Sequence, residues 1–177
     1  MFSIVLLLST LVACNNPASG SSGGSGDSGA GGTGTLTVAG TSHELTKLYV
    51  DHEGYNDFDQ NYDIDLLIYS EEVSHDGNSS SGTTEGSGVM LDMAFSTDKV
   101  TTGSYAFSAF DEDNSFSDFS DAFTSPGEYR EYFSAGTVDL TVEGDNYTIQ
   151  GSVTDDNGET VTFSYEGPAT QEFQTDS

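Results

Sequence analysis

Apolar and polar residues alternate along most of the chain after residue 35, which is the pattern of strands with one buried face and one wet face. In the clearest run, Val138, Leu140 and Val142 share one side of a strand, and Asp139 and Thr141 share the other. Two similar runs follow, separated by turns rich in Gly, Asn and Asp, which accept the positive φ that hairpins need. This segment predicts three consecutive antiparallel strands in a meander.

Five more alternating runs upstream complete a set of about eight predicted strands. They cover residues 35–39, 44–51, 61–70, 89–96, 103–110, 137–143, 147–153 and 161–165. In the third run Ile64 and Leu66 mark the inner face, so Asp63 and Asp65 are expected to point outward. Exposed strand edges must close or pair, which predicts an all-β domain of antiparallel strands in meander order. An up-and-down barrel of lipocalin-like shape and a two-sheet sandwich both fit, and the short turns favour the barrel.

Two connections interrupt this regularity. Residues 71–88 form a long polar stretch that reads as a loop. In the second connection, 111–136, phenylalanines recur at the i, i+3 and i+7 spacing of a helix, which predicts one short helix near 115–123. That connection is also rich in aromatics, which either plug one end of the barrel or sandwich or form a surface for a glycan or peptide. The candidate ligand-binding residues are Phe116, Phe119, Tyr129 and Tyr132.

The amino terminus carries an apolar run, residues 2–12, followed by Ala13 and Cys14, the only cysteine in the chain. Small residues before a lone cysteine resemble the lipobox of bacterial lipoproteins. The resemblance implies that residues 1–13 are a signal peptide and that the mature chain is anchored to a membrane by lipid on Cys14. An ordinary secretory signal and a short uncleaved anchor are the alternatives, and the run is short for a span of roughly 20 residues.

Residues 14–34 are dominated by Gly and Ser after the cysteine, a composition that cannot bury enough apolar surface to order itself. This segment is expected to be a flexible tether with a root-mean-square span of about 25 Å. It leads to a single domain at 35–173 and a short tail at 174–177. The expected location is therefore extracytoplasmic and lipid-anchored, with the outer membrane or the cell surface favoured because Asn15, and not Asp, follows the cysteine.

The segments GTVDLTV, NYTIQGSV, DNGE and VTFSYEG occur in this order through the last strands. Their spacing resembles uncharacterised small all-β lipoprotein domains of Bacteroidetes. The resemblance covers most of residues 35–167. It implies a small extracytoplasmic β domain and carries no activity with it.

The charge of the chain is strongly one-sided, with 30 acidic residues against 3 basic ones and a net charge of −27. Such a surface repels phosphate backbones, and the sequence offers no basic stripe, so nucleic acid is excluded as a partner. Repulsion between the carboxylates also opposes folding. Salt or bound cations are expected to help, and a solubilising, salt-adapted coat is the alternative reading.

Clustered carboxylates on loops supply the hard oxygen ligands that calcium prefers. The candidate ligands are Asp57, Asp59, Asp111 and Asp113, on two loops that would lie side by side. The sequence implies no other cofactor. No nucleophile elbow or zinc-protease motif occurs, and the histidines lack the spacing of a ligand set.

The leading functional hypothesis is therefore a non-enzymatic, lipid-anchored domain for envelope structure, adhesion or ligand capture. Its expected partners are the membrane, through Cys14, and a glycan or surface protein. A glycan-binding or glycan-processing accessory protein and a calcium-stabilised surface domain are the alternatives.

Overall fold

The computed structural model describes residues 31–56, 61–75, 84–109, 112, 115–117, 120–124 and 129–173. Within these ranges the side chains of residues 56, 61, 74, 75, 84, 85, 123, 124 and 129–131 are not described. The signal peptide and most of the tether predicted from the sequence lie outside the described residues, so both stay predictions.

Strands joined by turns make up nearly all of the described chain. The strands are β1 (Gly31–Val38), β2 (Thr41–Asn56), β3 (Asn61–Tyr69), β4 (Val73–His75), β5 (Thr84–Gly86), β6 (Val89–Ser96), β7 (Gly103–Phe107), β8 (Ser115–Phe116), β9 (Asp121–Thr124), β10 (Tyr129–Glu143), β11 (Asn146–Asp155), β12 (Thr160–Pro168) and β13 (Thr170–Phe173). Over these residues the structure contains no helix. A search of the same residues for a helix able to cross a membrane accordingly finds none.

Nine of these strands close into a barrel of mixed strand orientation. Around the barrel the order is β1, β12, β11, β10, β7, β8, β6, β3 and β2, and β2 pairs again with β1. Each neighbouring pair is antiparallel except β7 and β8, which are parallel. The last strand, β13, runs parallel to β2 beside residues Tyr49–His52, where β1 has already ended. Closure leaves no long unpaired edge on the barrel strands.

The predicted all-β fold is confirmed, and the barrel is the correct one of the two predicted architectures. The predicted meander is β10, β11 and β12, with Val138 opposite Gly151 and Ile149 opposite Tyr165. Gly144 and Gly158 take positive φ values of 64° and 82° in the two connecting turns. Among the barrel strands, the strict up-and-down order fails only between β6 and β10, where the three short strands β7, β8 and β9 share one gap.

The predicted helix at 115–123 is wrong. Ser115–Phe116 and Asp121–Thr124 are strands, and Phe116 is buried from a strand and not from a helical face. Phe116 pairs with Phe95 of β6, and β9 pairs with both β6 and β10. A helix would have left the facing edges of β6 and β10 without backbone partners, whereas two short strands satisfy both edges.

The stretch 71–88, expected to be a loop, contains the hairpin of β4 and β5, which forms a small sheet of its own. Val73 at the start of this hairpin is buried in a cluster on the outside of the barrel with Tyr49, Leu67, Tyr69 and Met90. The outer face of β2, β3 and β6 is therefore apolar and covered at this place. The expectation that each strand has one wet face fails here, and Asp65, expected to point into solvent, is buried.

The barrel interior is a continuous apolar core to which every barrel strand contributes. Two glycines on the inward face leave room for large rings. A Cβ atom on Gly151 would collide with the ring of Phe163 on the neighbouring strand, and one on Gly32 would collide with the ring of Tyr165. The glycines in these strands thus serve packing, because the adjacent rings fill the volume that side chains would otherwise occupy.

We predict that Gly151→Ala destabilises the protein by about 1–3 kcal/mol because the new methyl group forces the Phe163 ring out of the core. Ala is a better strand residue than Gly, so the same substitution would raise the free energy of unfolding if the new methyl group did not meet the ring. Chemical denaturation measures the change. Ser152→Ala, on the exposed neighbouring position, is the control and should change stability by less than about 0.5 kcal/mol. Equal effects of the two substitutions would contradict the packing account.

Burial raises the pKa of Tyr165 from 10.0 to about 12, and its hydroxyl donates a hydrogen bond of 2.8 Å to the carbonyl of Pro168. As the pH rises, Tyr165 loses its proton at a lower pH in the unfolded chain than in the folded protein. The stabilisation by the buried hydroxyl is therefore complete below pH 10 and is lost as the pH rises towards 12. We therefore predict that the stability difference between the native protein and Tyr165→Phe shrinks across this window. Urea unfolding at several pH values tests it, and a constant difference would contradict the predicted pKa.

Candidate functional site

The four predicted calcium ligands, Asp57, Asp59, Asp111 and Asp113, all lie outside the described residues. The calcium prediction therefore stays a prediction. Among the side chains that the structure describes, no group of three His, Cys, Asp or Glu could hold a metal ion. Cys14, the predicted lipidation site, also lies outside the described residues.

The predicted aromatic surface does not form as a unit. Phe116 is fully buried, with its ring centroid 5.6 Å from that of Phe107 inside the barrel, so its assignment to a ligand surface is wrong. Tyr132 is 41% exposed on β10. Phe119 and the side chain of Tyr129 lie outside what the structure describes. The burial of Phe116 follows from its strand pairing, which turns its side chain into the core.

Carboxylates line up across the outer face of the barrel. Asp51 and Asp65 are direct cross-strand partners, as are Asp92 and Asp121, and Glu172 of β13 lies beside Asp51. Asp51 and Asp121 are completely buried. None of these residues is without an interaction partner. Facing carboxylates destabilise a sheet unless other groups compensate for their repulsion. This fold therefore tolerates like charges on neighbouring strands.

A second acidic sequence cluster, the turn from Asp155 to Glu159, has a structural role. One carboxylate oxygen of Asp155 accepts hydrogen bonds from the backbone N–H groups of Asn157, at 2.9 Å, and Glu159, at 2.7 Å. Asp155 is buried and fixes the hairpin between β11 and β12. Its side chain thus replaces the backbone partners that a tight turn leaves unsatisfied.

Two open depressions occur on the barrel surface. One, of about 380 Å³, is lined by His43, Glu44, Glu71 and their neighbours, and another, of about 440 Å³, lies across β1, β10, β11 and β12. Both are grooves between strands, lined mainly by hydroxyl and carboxylate groups. Enclosed apolar walls are typical of small-molecule pockets, and these grooves lack them.

Exposed aromatic rings are concentrated at one end of the barrel. Among the described residues, the large hydrophobic side chains that remain exposed are Tyr55, Tyr62, Tyr132 and Phe173. Three of them, Tyr55, Tyr62 and Phe173, belong to β2 and to its two neighbours, β3 and β13. Together with His52 they form a surface that we call the aromatic end. Clustered exposed apolar groups mark interaction sites far more often than single ones do.

Strand pairing explains why these rings meet. Tyr62 lies on the same face of β3 as the buried Ile64, two residues further from the core, and Tyr55 is its direct cross-strand partner. A bulge between His52 and Gly54, where Gly54 has φ of 88°, shifts the register by one residue and so places Tyr55 opposite Tyr62. The two tyrosine rings lie 5.2 Å apart at an interplanar angle of 65°. They are 52% and 46% exposed, so the core face of the hairpin continues as an aromatic surface in solvent.

The second half of the aromatic end is a stacked pair. The rings of His52 and Phe173 lie 4.4 Å apart and nearly parallel, at 9°. Nε2 of His52 lies 2.9 Å from the side-chain oxygen of Gln171, and because that oxygen only accepts, the imidazole nitrogen donates. Gln171 in turn donates weakly to the hydroxyl of Tyr147, at 3.5 Å. Phe173 stays 67% exposed, so one face of its ring lies on His52 and the other is open.

These contacts suit binding better than catalysis. His52 contacts an amide and a phenyl ring, which supply neither a carboxylate to orient a catalytic base nor a hydroxyl to attack a substrate. The tyrosines offer ring faces and hydroxyls, which bind ligands without covalent chemistry. The aromatic end is therefore the candidate binding site.

Sequence reasoning missed this site because the predicted second strand stops at residue 51, whereas β2 continues to Asn56. The missed signal is the pair of tyrosines at 55 and 62, placed symmetrically about residues 57–60. From the sequence, Phe173 was predicted only as the last residue of the domain. Its parallel pairing with β2 is a long-range contact, which local periodicity does not reveal.

Comparison with known proteins finds no matching family model, no matching curated protein and no matching solved structure. The resemblance to Bacteroidetes lipoprotein domains stays a prediction. Support for a function therefore comes from the sequence signals and from the aromatic end.

The net charge of −27 predicts that sodium chloride raises the thermal midpoint of the protein by screening repulsion between carboxylates. If Asp57, Asp59, Asp111 and Asp113 bind calcium, calcium chloride of the same ionic strength raises it further, because a ligand specific for the folded chain stabilises that state. Melting in EDTA, in sodium chloride and in calcium chloride separates the two effects. Equal midpoints in the two salts would contradict the calcium prediction.

Proposed function

We propose that this protein is a lipid-anchored extracytoplasmic lipoprotein whose β-barrel captures a ligand without chemical conversion, at the aromatic end. The observation that carries the proposal is the concentration of exposed rings at Tyr55, Tyr62 and Phe173 on a barrel whose interior is filled by side chains. A filled barrel offers no room for an internal ligand, unlike barrels that enclose a cavity. Capture on the outside is the mode that this geometry supports.

Anchoring is supported by the lipobox-like segment that ends at Cys14 and by the Gly- and Ser-rich tether that follows it. Two or more acyl chains on one cysteine give stable membrane attachment. A tether with a root-mean-square span of about 25 Å lets the domain turn its aromatic end away from the membrane surface. The same parts serve an adhesion or envelope role if the captured ligand belongs to another surface.

A glycan-binding accessory protein is the second candidate, and the exposed tyrosine pair favours it. The C–H faces of sugar rings pack on aromatic faces, and the tyrosine hydroxyls can hydrogen-bond to sugar hydroxyls. In this version of the proposal the binding residues are Tyr55 and Tyr62 and no longer Phe116, which is buried. The calcium-stabilised alternative depends on residues outside the described ranges and is tested by melting in matched salts.

Anchoring is tested by Cys14→Ala. We expect the native chain to fractionate with membranes and the variant to appear in the soluble fraction, because the acyl chains have no other cysteine to attach to. Ser9→Ala, within the apolar run, is a matched control that should stay with the membranes. Persistent membrane association of Cys14→Ala would overturn the anchoring proposal.

Capture at the aromatic end is tested by screening the full chain against a panel of neutral glycans and a panel of small organic amines. We expect at least one probe to bind and to lose affinity about tenfold when Tyr55 and Tyr62 are both replaced by Leu. Tyr132→Ala, which removes a similarly exposed tyrosine elsewhere on the barrel, should leave the affinity unchanged. Probe binding that survives the double replacement would place the binding surface elsewhere and contradict the proposal.

A further inference from the structure

We propose that the ligand of the aromatic end is a soluble organic cation carrying an alkylammonium group. This inference rests on the proposed capture function and adds the chemical class of its ligand. Two independent features of the described residues support it: the mutual orientation of the tyrosine rings and the sign of the charge around them.

The tyrosine rings form a corner. Tyr55 and Tyr62 meet at 65° with their centroids 5.2 Å apart, and about half of each side chain is exposed. The face of an aromatic ring carries partial negative charge and attracts a cation placed over it, within about 6 Å of its centroid. A compact alkylammonium group in this corner contacts two ring faces and keeps a side open to solvent. A sugar ring could stack on the face of one tyrosine, but at an interplanar angle of 65° the two rings cannot both stack on the same sugar face.

Phe173 extends the aromatic end by one more face. One side of its ring is stacked on His52, and with 67% of the side chain exposed, the other side stays open. It lies beside His52, on the neighbouring strand to the tyrosine hairpin. The alkyl part of a cation longer than a single ammonium group can reach this face. The stack also fixes the ring, which lowers the entropy that binding would otherwise cost.

Charge around the rings favours a cation. Glu53 and Asp63 lie on the tyrosine hairpin, and Glu172 precedes Phe173. Successive residues of a strand point to opposite faces, so Asp63 and Glu172 lie on the face opposite the rings and attract a cation at long range, without contact. Among the basic side chains that the structure describes, Lys47 donates to the carbonyls of Glu71 and Val73, away from this end. Lys99 follows β6, whose last residue, Ser96, pairs with Asp63, so this lysine lies at the same end of the barrel as Tyr62 and beside Asp98. Carboxylates outnumber it there.

The charge of the whole chain has the same sign as the local carboxylates. At a net charge of −27 the protein repels anionic ligands and attracts cations, and the attraction acts over a Debye length of about 8 Å at physiological ionic strength. A neutral glycan gains nothing from this field, and an acidic glycan is excluded by it. Charge complementarity therefore favours the cation over the glycan as the ligand of a site that both could contact.

Choline and its uncharged isostere, 3,3-dimethyl-1-butanol, test this inference directly because they have nearly the same shape and differ in charge. Each is titrated into the full chain while the tyrosine ring signals are followed by NMR. We expect choline to bind at least about tenfold more tightly than the isostere, and to weaken as salt is added. The double variant Tyr55→Leu, Tyr62→Leu keeps apolar bulk and removes the ring faces, so it should lose this preference. Tyr132→Ala should retain it.

Equal binding of the two compounds would overturn the inference, because apolar contact alone would then explain it. Binding of a neutral glycan in place of choline, lost in the Leu double variant and insensitive to salt, would also overturn it, while leaving capture at the aromatic end intact. Binding of every probe unchanged in the double variant would contradict the proposed function itself. Circular dichroism of both variants, with native-like spectra expected, confirms that the barrel is folded in each comparison.

Discussion

Pairing of β1 with two neighbours is the interaction on which the rest of this structure depends. β1 hydrogen-bonds to β12 on one side and to β2 on the other, and this double pairing converts a curved sheet into a closed barrel. The close approach requires glycine: a Cβ atom on Gly34 would collide with the backbone of Ser164, and one on Gly32 with the ring of Tyr165. Closure then encloses the core, and because β1 ends partway along β2, the remaining edge of β2 is available to β13.

The aromatic end is a consequence of that arrangement. β2 and β3 remain paired beyond the last buried residues of the core, so their inner face brings Tyr55 and Tyr62 into solvent. β13 adds Phe173 beside His52 because it takes the edge that β1 leaves. The same strands carry carboxylates near the rings, since 30 acidic residues must be distributed over a small surface. Aromatic faces within a negative field define the chemistry that we assign to this end.

Local periodicity was enough to predict the strands of the meander and the all-β fold, whereas only the short turns favoured the barrel over a sandwich. Val138, Leu140 and Ile149 alternate with polar residues, and burial on one face produces that pattern directly. It was not enough where non-local pairing decides the structure. Phe116 has helical spacing to its neighbours, yet it is buried through pairing with Phe95 of β6 and Phe107 of β7, which no local pattern encodes. Local preferences give way to tertiary contacts in such short segments.

The candidate site escaped prediction for a related reason. Tyr55 and Tyr62 lie past a bulge at Gly54, which shifts the alternation that otherwise identifies strand partners. Asp65 was expected to face water because a lone strand has two faces of different polarity, but Val73 and its neighbours cover that outer face. Sequence patterns report the face that one strand buries, and they miss surfaces created by a second layer or a distant strand.

Residue-resolved hydrogen exchange of the full chain tests barrel closure most directly. Both edges of β1 are hydrogen-bonded in a closed barrel, so the amides of Thr35, Leu36 and Thr37 should exchange as slowly as those in the centre of β11, through global unfolding. Equal protection of β1 and β11 is the result that the account predicts. Exchange of the β1 amides orders of magnitude faster than those of β11 would show an open sheet and contradict it.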